Sequence, residues 1–421
     1  MPSPYRAIFT APGAKGFSAA GFLGRMPMSM MGVGVVTMIS QLTGRYGLAG
    51  ALSATLALSM AVLGPQMSRL VDRHGQRRVL RPTALVSAGA VAGLLVCAQR
   101  GAPDWLLFVF AAGAGCVPGL GSMVRARWAA LHRDAPRALH TAYAWESIVD
   151  EVCFILGPIV SIGLSTAWFP AAGPLLALVF LVTGILWFTA QRATEPVPAP
   201  REEHTPGSAL RSPGLRVLVA ALVATGVVFG AVDVVTVAFA EEEGHKAAAS
   251  VVLAVFALGS CLAGAVFGLL HPTGPAARRW LLGFLAMAVS MIPLLLAGNL
   301  VLLAGALFVA GLSVAPTMVT TMGLVEQHVP RAKLTEGITW TTTGITVGVA
   351  LGSSAAGWVV DSAGADAGYA VPAVAGASAA AIALLGYRRL RPAAERTGTP
   401  RPQGRGGSSA NDDDRERHSL A

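Results

Sequence analysis

Charge is scarce in this chain, and that scarcity decides its class. Only 13% of the 421 residues are Asp, Glu, Lys or Arg. A soluble core of this size needs a charged surface, and these charges cluster between apolar runs instead of providing one. Cysteine is scarce too. Cys97, Cys116, Cys153 and Cys261 all fall inside apolar runs and show no paired spacing, which excludes a disulfide framework or a cysteine-based metal site. No GxxxxGK[ST], HExxH or GxSxG occurs, so neither ATP-driven pumping nor hydrolysis has residues to stand on. His132-Arg133-Asp134 matches a kinase triplet but stands without a Gly-rich loop or D-F-G. An enzyme is not expected, and neither a cofactor nor a metal. A cleavable signal is also missing: the first apolar run contains Arg25 and continues to about Leu42, too long for a signal core.

What the chain does have is long apolar runs, with 54% hydrophobic residues and a mean hydropathy of +0.61. Spans long enough to cross a ~30 Å hydrocarbon layer as helix are expected near 20–43, 47–67, 79–98, 104–124, 141–166, 170–190, 214–240, 247–270, 279–297, 300–323, 337–360 and 369–387. Alternating the loops of these twelve spans gives one side 28 of the 31 basic residues and leaves Arg45, Arg100 and Lys246 on the other. The positive-inside rule then puts both termini in the cytoplasm of a multi-pass plasma-membrane protein. The formal charge of +9 is thus an orientation signal; the lipid bilayer, not nucleic acid, is the expected partner, and a monomer is expected.

The segment "QRATEPVPAPREEHTPGSALRSP" (191–213), with five prolines and no apolar period, reads as an extended cytoplasmic linker. It divides residues 1–190, a six-helix bundle, from 214–390, a second one; 391–421 reads as a disordered cytoplasmic tail. The halves share features. "PRALHTAYAW" (136–145) precedes the fifth span and "PRAKLTEGITW" (330–340) the eleventh; beyond one inserted residue, Trp145 pairs with Trp340 and Gly157 with Gly352, and Pro118 matches Pro316. Two pseudo-symmetric halves are a transporter signature.

The loop after the second span, "SRLVDRHGQRRVLR" (68–81), gathers five arginines. Together with six plus six spans and a central linker, it resembles the major facilitator superfamily over roughly residues 15–390. That family's loop signature is G-x-L-x-D-R-x-G-R-[RK]-x-x-[LI], and Leu70, Asp72, Arg73, Gly75, Arg77 and Leu80 fall in register. Ser68 and Gln76 depart from it. The resemblance implies that Asp72 faces the N-terminus of the eleventh span, where a helix dipole favours negative charge. Asp72, Arg73, Gly75, Arg77 and Arg78 would then form a latch that closes the cytoplasmic side; alternatively the arginines only anchor topology. An exporter branch is matched in part: Gly157 and Pro158 keep its helix-5 motif, while Val109 stands where its span-4 arginine would be and Cys153 in place of a glycine.

Charges inside the membrane mark functional candidates. In the fifth span, Glu146 lies a few residues in, and Asp150 and Glu151 lie roughly 14 Å deep at 1.5 Å per residue. Glu146 is expected to pair with Arg125 or Arg127. Asp150 or Glu151 would bind and release a proton, or the group is a static ion pair. Asp233 in the seventh span can serve a proton, a cationic substrate or a neighbouring helix. Arg25 reads as an interfacial snorkelling residue before it reads as a cavity ligand; Gln41 and Trp340 are further cavity candidates. The expected function is secondary active transport by alternating access, as proton-coupled export of small amphipathic molecules. Uptake or facilitated diffusion of a small polar metabolite is the alternative.

Overall fold

The computed structural model describes residues 4–116, 119–198, 207–245, 248–270 and 274–390. The described residues are 87% helical, and no strand occurs among them. A short helix α1 (Pro4–Ile8) is followed by α2 (Ala14–Thr43), α3 (Tyr46–His74), α4 (Gln76–Gln99), α5 (Asp104–Ala114), α6 (Leu120–Leu131), α7 (Pro136–Ala167) and α8 (Ala172–Ala190). After the linker come α9 (Pro213–Glu242), α10 (Ala248–Leu269), α11 (Ala276–Ser290), α12 (Leu300–Gly311), α13 (Val314–His328), α14 (Leu334–Ala363), α15 (Ala365–Gly368) and α16 (Ala370–Leu390). The tail expected beyond 390 lies outside the described residues.

Eleven segments are long and apolar enough to cross a membrane, and their outward faces suit lipid. Leu85, Val301 and Leu385 are 75–84% exposed, which water would penalise and acyl chains do not. The fourth expected span, near 104–124, is split between α5 and α6, neither of which is a full crossing by itself. Ending α5 early releases carbonyls that must find new donors. Ser59 Oγ of α3 donates to Ala112 O at 2.5 Å and Ser87 Oγ of α4 to Ala114 O at 2.6 Å. Side-chain hydroxyls of neighbouring helices therefore make the break tolerable in an apolar setting. Pro118, which the sequence matches to Pro316, lies outside the described residues. The tenth expected span carries only a short break between α12 and α13 and remains one crossing, Leu300–His328.

Helices before the linker pack chiefly around α2, which lies against α8, α7 and α3; those after it pack around α9, which lies against α14 and α16. Small residues set these contacts. A Cβ on Gly157 of α7 would collide with Ser29 of α2, and one on Gly352 of α14 with Val227 of α9. The two glycines that the sequence pairs thus make equivalent approaches. Gly348 presses against the Val223 carbonyl in the same α9–α14 seam, so backbone meets backbone there and dispersion contact is dense. The two sets meet where α7 lies on α10 and α3 on α14.

The linker departs from the extended segment its composition suggests. Arg192–Thr194 and Ala209–Arg211 are single 3-10 turns, and Ser212 caps α9 by accepting from Leu215 N at 3.4 Å. Both ends are held because their polar groups complete buried pairings at one end of the bundle. There the α3–α4 corner, the starts of α7 and α14 and both linker ends come together; it is called the basic end below.

Candidate functional site

Near the middle of α7, side chains from three helices build a buried charge cluster. Glu146 is fully buried, and its carboxylate is bound by Arg25 Nη2 of α2 and by Trp128 Nε1 of α6 at 2.7 Å. Asp150, one turn further, accepts from Arg25 Nη1 at 2.7 Å and from Arg125 Nη2 at 2.5 Å. Two guanidinium groups face two carboxylates, so the cluster is neutral overall. Buried ions survive only when paired and hydrogen-bonded, and planar forks suit this bridging.

Two expectations are corrected here. Arg25 is not a snorkelling residue: it is 5% exposed and ion-paired on both sides. Its helix, α2, faces Glu146 and Asp150, which is cheaper than reaching for a distant interface. Nor does Glu146 pair with Arg125 or Arg127 among the described residues. Arg125 serves Asp150, and Arg127 points the other way. Fully buried, Arg127 donates to Gln76 Oε1 (2.7 Å), Gln191 O (2.8 Å) and Thr194 Oγ1 (2.8 Å) and lies over the Phe188 ring at 3.8 Å. Gln76, the departure from the loop signature, is thus the neutral acceptor that ties α4 to this arginine.

Glu151 sits about 100° round α7 from Asp150, on the face toward α10. Its Oε1 accepts from Ser260 Oγ at 2.7 Å, and no cation pairs with it among the described residues. This carboxyl bridges the two helix sets through a neutral hydroxyl. Asp233 of α9 is exposed and likewise has no cationic partner among the described residues. Gln41 is exposed near the end of α2. Trp340, expected in the cavity, belongs elsewhere: its Nε1 donates to Glu336 Oε1 at 3.1 Å, one turn back on α14 at the basic end.

The basic end is where α3 and α14 are clasped together. Thr335 N and Glu336 N, free donors in the first turn of α14, donate to Asp72 Oδ1 at 3.3 Å and Oδ2 at 3.0 Å. Gly75 ends α3 with φ 89°, a conformation glycine adopts readily, and turns the chain into α4. Arg77 N donates to Glu195 at 2.9 Å, whereas the side chains of Arg73 and Arg78 are exposed and unpaired among the described residues.

Glu336, which sequence reasoning missed, is the hub of this clasp. Buried to 1% exposure, its Oε1 accepts from Arg69 Nε (2.7 Å), Ser208 Oγ (2.6 Å) and Ala209 N (3.0 Å) as well as from Trp340. An acid in a helix's first turn with a tryptophan four residues on was the available signal. Ser68, the other departure from the signature, bonds Thr339 Oγ1 at 2.7 Å, and Thr339 donates to Ser122 at 3.0 Å. A hydroxyl chain thus joins α3, α14 and α6. Elsewhere at this end Thr141 donates to Gly268 O at 3.0 Å and Tyr5 to Ala265 O at 2.9 Å, tying α7 and α1 to α10.

The model of the Major Facilitator Superfamily matches residues 17–301 and 272–412, and the chain belongs to that family. Comparison with curated protein sequences gives no match. Among solved structures, the human organic anion transporter MFSD10 (TETRAN) is similar with a TM-score of 0.70 at 15% identity, covering 90% of this chain and 100% of that one. A bacterial homologue of the iron transporter ferroportin in an outward-facing state gives 0.68 at 14% identity, covering 88% and 98%. The E. coli fucose:proton symporter FucP gives 0.67 at 12%, covering 88% and 98%. At these identities the likeness speaks for the fold.

Proposed function

We propose that this superfamily member is a proton-coupled secondary transporter that exports small amphipathic molecules across the plasma membrane by alternating access, with both termini cytoplasmic. The basic end is then the cytoplasmic end. Residues 1–190 and 214–390 act as two rocking bundles joined by the 191–213 linker. The state in hand is shut toward the cytoplasm by the Asp72 and Glu336 clasp, in keeping with the outward-facing state in which similar folds have been solved.

One observation carries the coupling. Glu151 is a carboxyl at membrane depth, held by a neutral hydroxyl across the contact between the bundles. A carboxylate without a counter-ion there must gain a proton or reach water. Rocking would give it each in turn, whereas Asp150 is paired with two arginines. The helix-5 glycine and proline, Gly157 and Pro158, support the exporter reading in so far as Gly157 seats α7 on α2.

The test is Glu151→Gln in proteoliposomes. Substrate accumulation driven by a pH gradient should be lost, while exchange of substrate between the two sides persists. If the variant still concentrates substrate in a gradient-dependent way, Glu151 does not carry the proton.

A further inference from the structure

Asp233 is a carboxylate at membrane depth that neither carries the proposed proton nor pairs with a cation among the described residues, and its surroundings identify a ligand. It lies on α9 between two contact stripes. On one side, Gly226 and Gly230 press against Ile345 and Val349 of α14. On the other, Phe229, one turn from Asp233, meets Phe256 of α10 with ring centroids 6.3 Å apart, tilted at 68°. Since α14 also meets α3, and α10 also meets α7, the strip between the two stripes faces the space between the helix sets and not the lipid. Asp233 is exposed there.

Charge accounting gives the sign of the ligand. Arg25 and Arg125 are consumed by Glu146 and Asp150, so the cluster offers no free positive charge. The end of the bundle nearer Asp233 is also acidic. Glu241, Glu242, Glu243, Asp361 and Asp366 outnumber Arg100 and Lys246 on that side, and Arg45 is occupied by Asp104 at 2.8 Å. Such a field draws cations and repels anions. A carboxylate beside a pair of aromatic rings recognises a cation that carries apolar surface, through charge and ring quadrupoles together.

We propose that Asp233, Phe229 and Phe256 form the binding seat of a lipophilic organic cation, an amine or onium compound; this assigns a substrate class to the proposed transporter and rests on that reading. The carboxylate supplies the counter-charge and the rings supply the apolar wall. Because Glu151 lies on the α10 side of the same space, substrate and proton would meet from opposite helix sets.

The experiment measures binding to purified protein in detergent by calorimetry, using tetraphenylphosphonium and tetraphenylborate, which are alike in size and opposite in charge. The wild type should bind the cation more tightly than the anion. Asp233→Asn should weaken the cation tenfold or more, about 1.4 kcal/mol, and leave the anion unchanged, while Asp233→Glu retains cation binding within a few-fold. Phe256→Ala should weaken the cation by a smaller factor. Absence of cation preference in the wild type, or cation binding in Asp233→Asn equal to wild type, overturns the proposal. Flux in proteoliposomes is scored separately: a cation that binds through Asp233 but is never carried would sink the transport reading and leave the seat standing.

Discussion

Asp72→Asn is the sharpest probe of the clasp, because it keeps the side chain's shape and removes only its charge and one acceptor oxygen. The carboxylate accepts from Thr335 N at 3.3 Å and Glu336 N at 3.0 Å. Hydrogen bonds to a charged group are worth about 1.5–3 kcal/mol, against about 0.5–1.5 for neutral pairs, and the dipole of α14 adds about 0.3–1 kcal/mol. An asparagine offers one acceptor for the two N–H groups, so one of them loses its partner while the clasp is closed. The closed state should therefore lose about 2 kcal/mol relative to the open one. That shifts the equilibrium roughly thirtyfold, so a 99:1 preference for closure becomes about 3:1. Distance distributions between spin labels on the basic ends of α3 and α14 read this directly: a long-distance population should emerge in Asp72→Asn. Arg78→Ala, at an exposed and unpaired side chain, should leave the distribution alone. If Asp72→Asn keeps the wild-type distribution while folding normally, the clasp does not hold the bundles closed.

Two further outcomes are expected. Arg25→Met strips one partner from Glu146 and one from Asp150, which leaves buried charge uncompensated at a cost of roughly 3–5 kcal/mol; thermal unfolding in detergent should fall by many degrees, and an unchanged midpoint would show that the cluster is not structural. In a background where Cys97, Cys116, Cys153 and Cys261 are replaced by serine or alanine, Val197→Cys should resist an impermeant thiol reagent applied to intact cells and Asp366→Cys should react. The reverse pattern would invert the proposed orientation.

Hydropathy made the spans legible because the cost of exposing apolar surface is local to each run: α2, α3, α4 and α7 to α10 lie close to where the apolar runs place them. The loop signature placed Asp72 and Gly75 for a similar reason, since a corner between two helices is a short-range object. Side-chain partners were another matter. Arg25 and Glu146 are 121 residues apart in the chain, and nothing in the neighbourhood of either names the other. Arg127 was assigned to an acid because both are charged, yet its donors are met by Gln76, a threonine and carbonyls of the linker end. The split of the fourth span escaped because its carbonyls are rescued by Ser59 and Ser87 on other helices. An interruption that needs neighbours to be tolerable cannot be read from its own segment.

How the linker is held bears on what has to break when the proposed bundles part. Its first end stays with the helices before it: Thr194 and Gln191 are bound to Arg127, and Glu195 to Arg77 N. Its second end stays with the helices after it, through Ser208 and Ala209 on Glu336 and Ser212 on His328 O at 2.9 Å. None of these bonds crosses between the sets. Opening the basic end therefore requires loss of the Asp72 caps, the Arg69–Glu336 pair, the Ser68–Thr339 chain and the bonds of Tyr5 and Thr141 to α10. Glu336 can keep Ser208, Ala209 and Trp340 throughout, because all three move with α14. The linker thus leaves Glu336 satisfied when Arg69 departs, which lowers the penalty for unclasping a buried carboxylate and lets the two states lie close in free energy, as a carrier that must visit both requires.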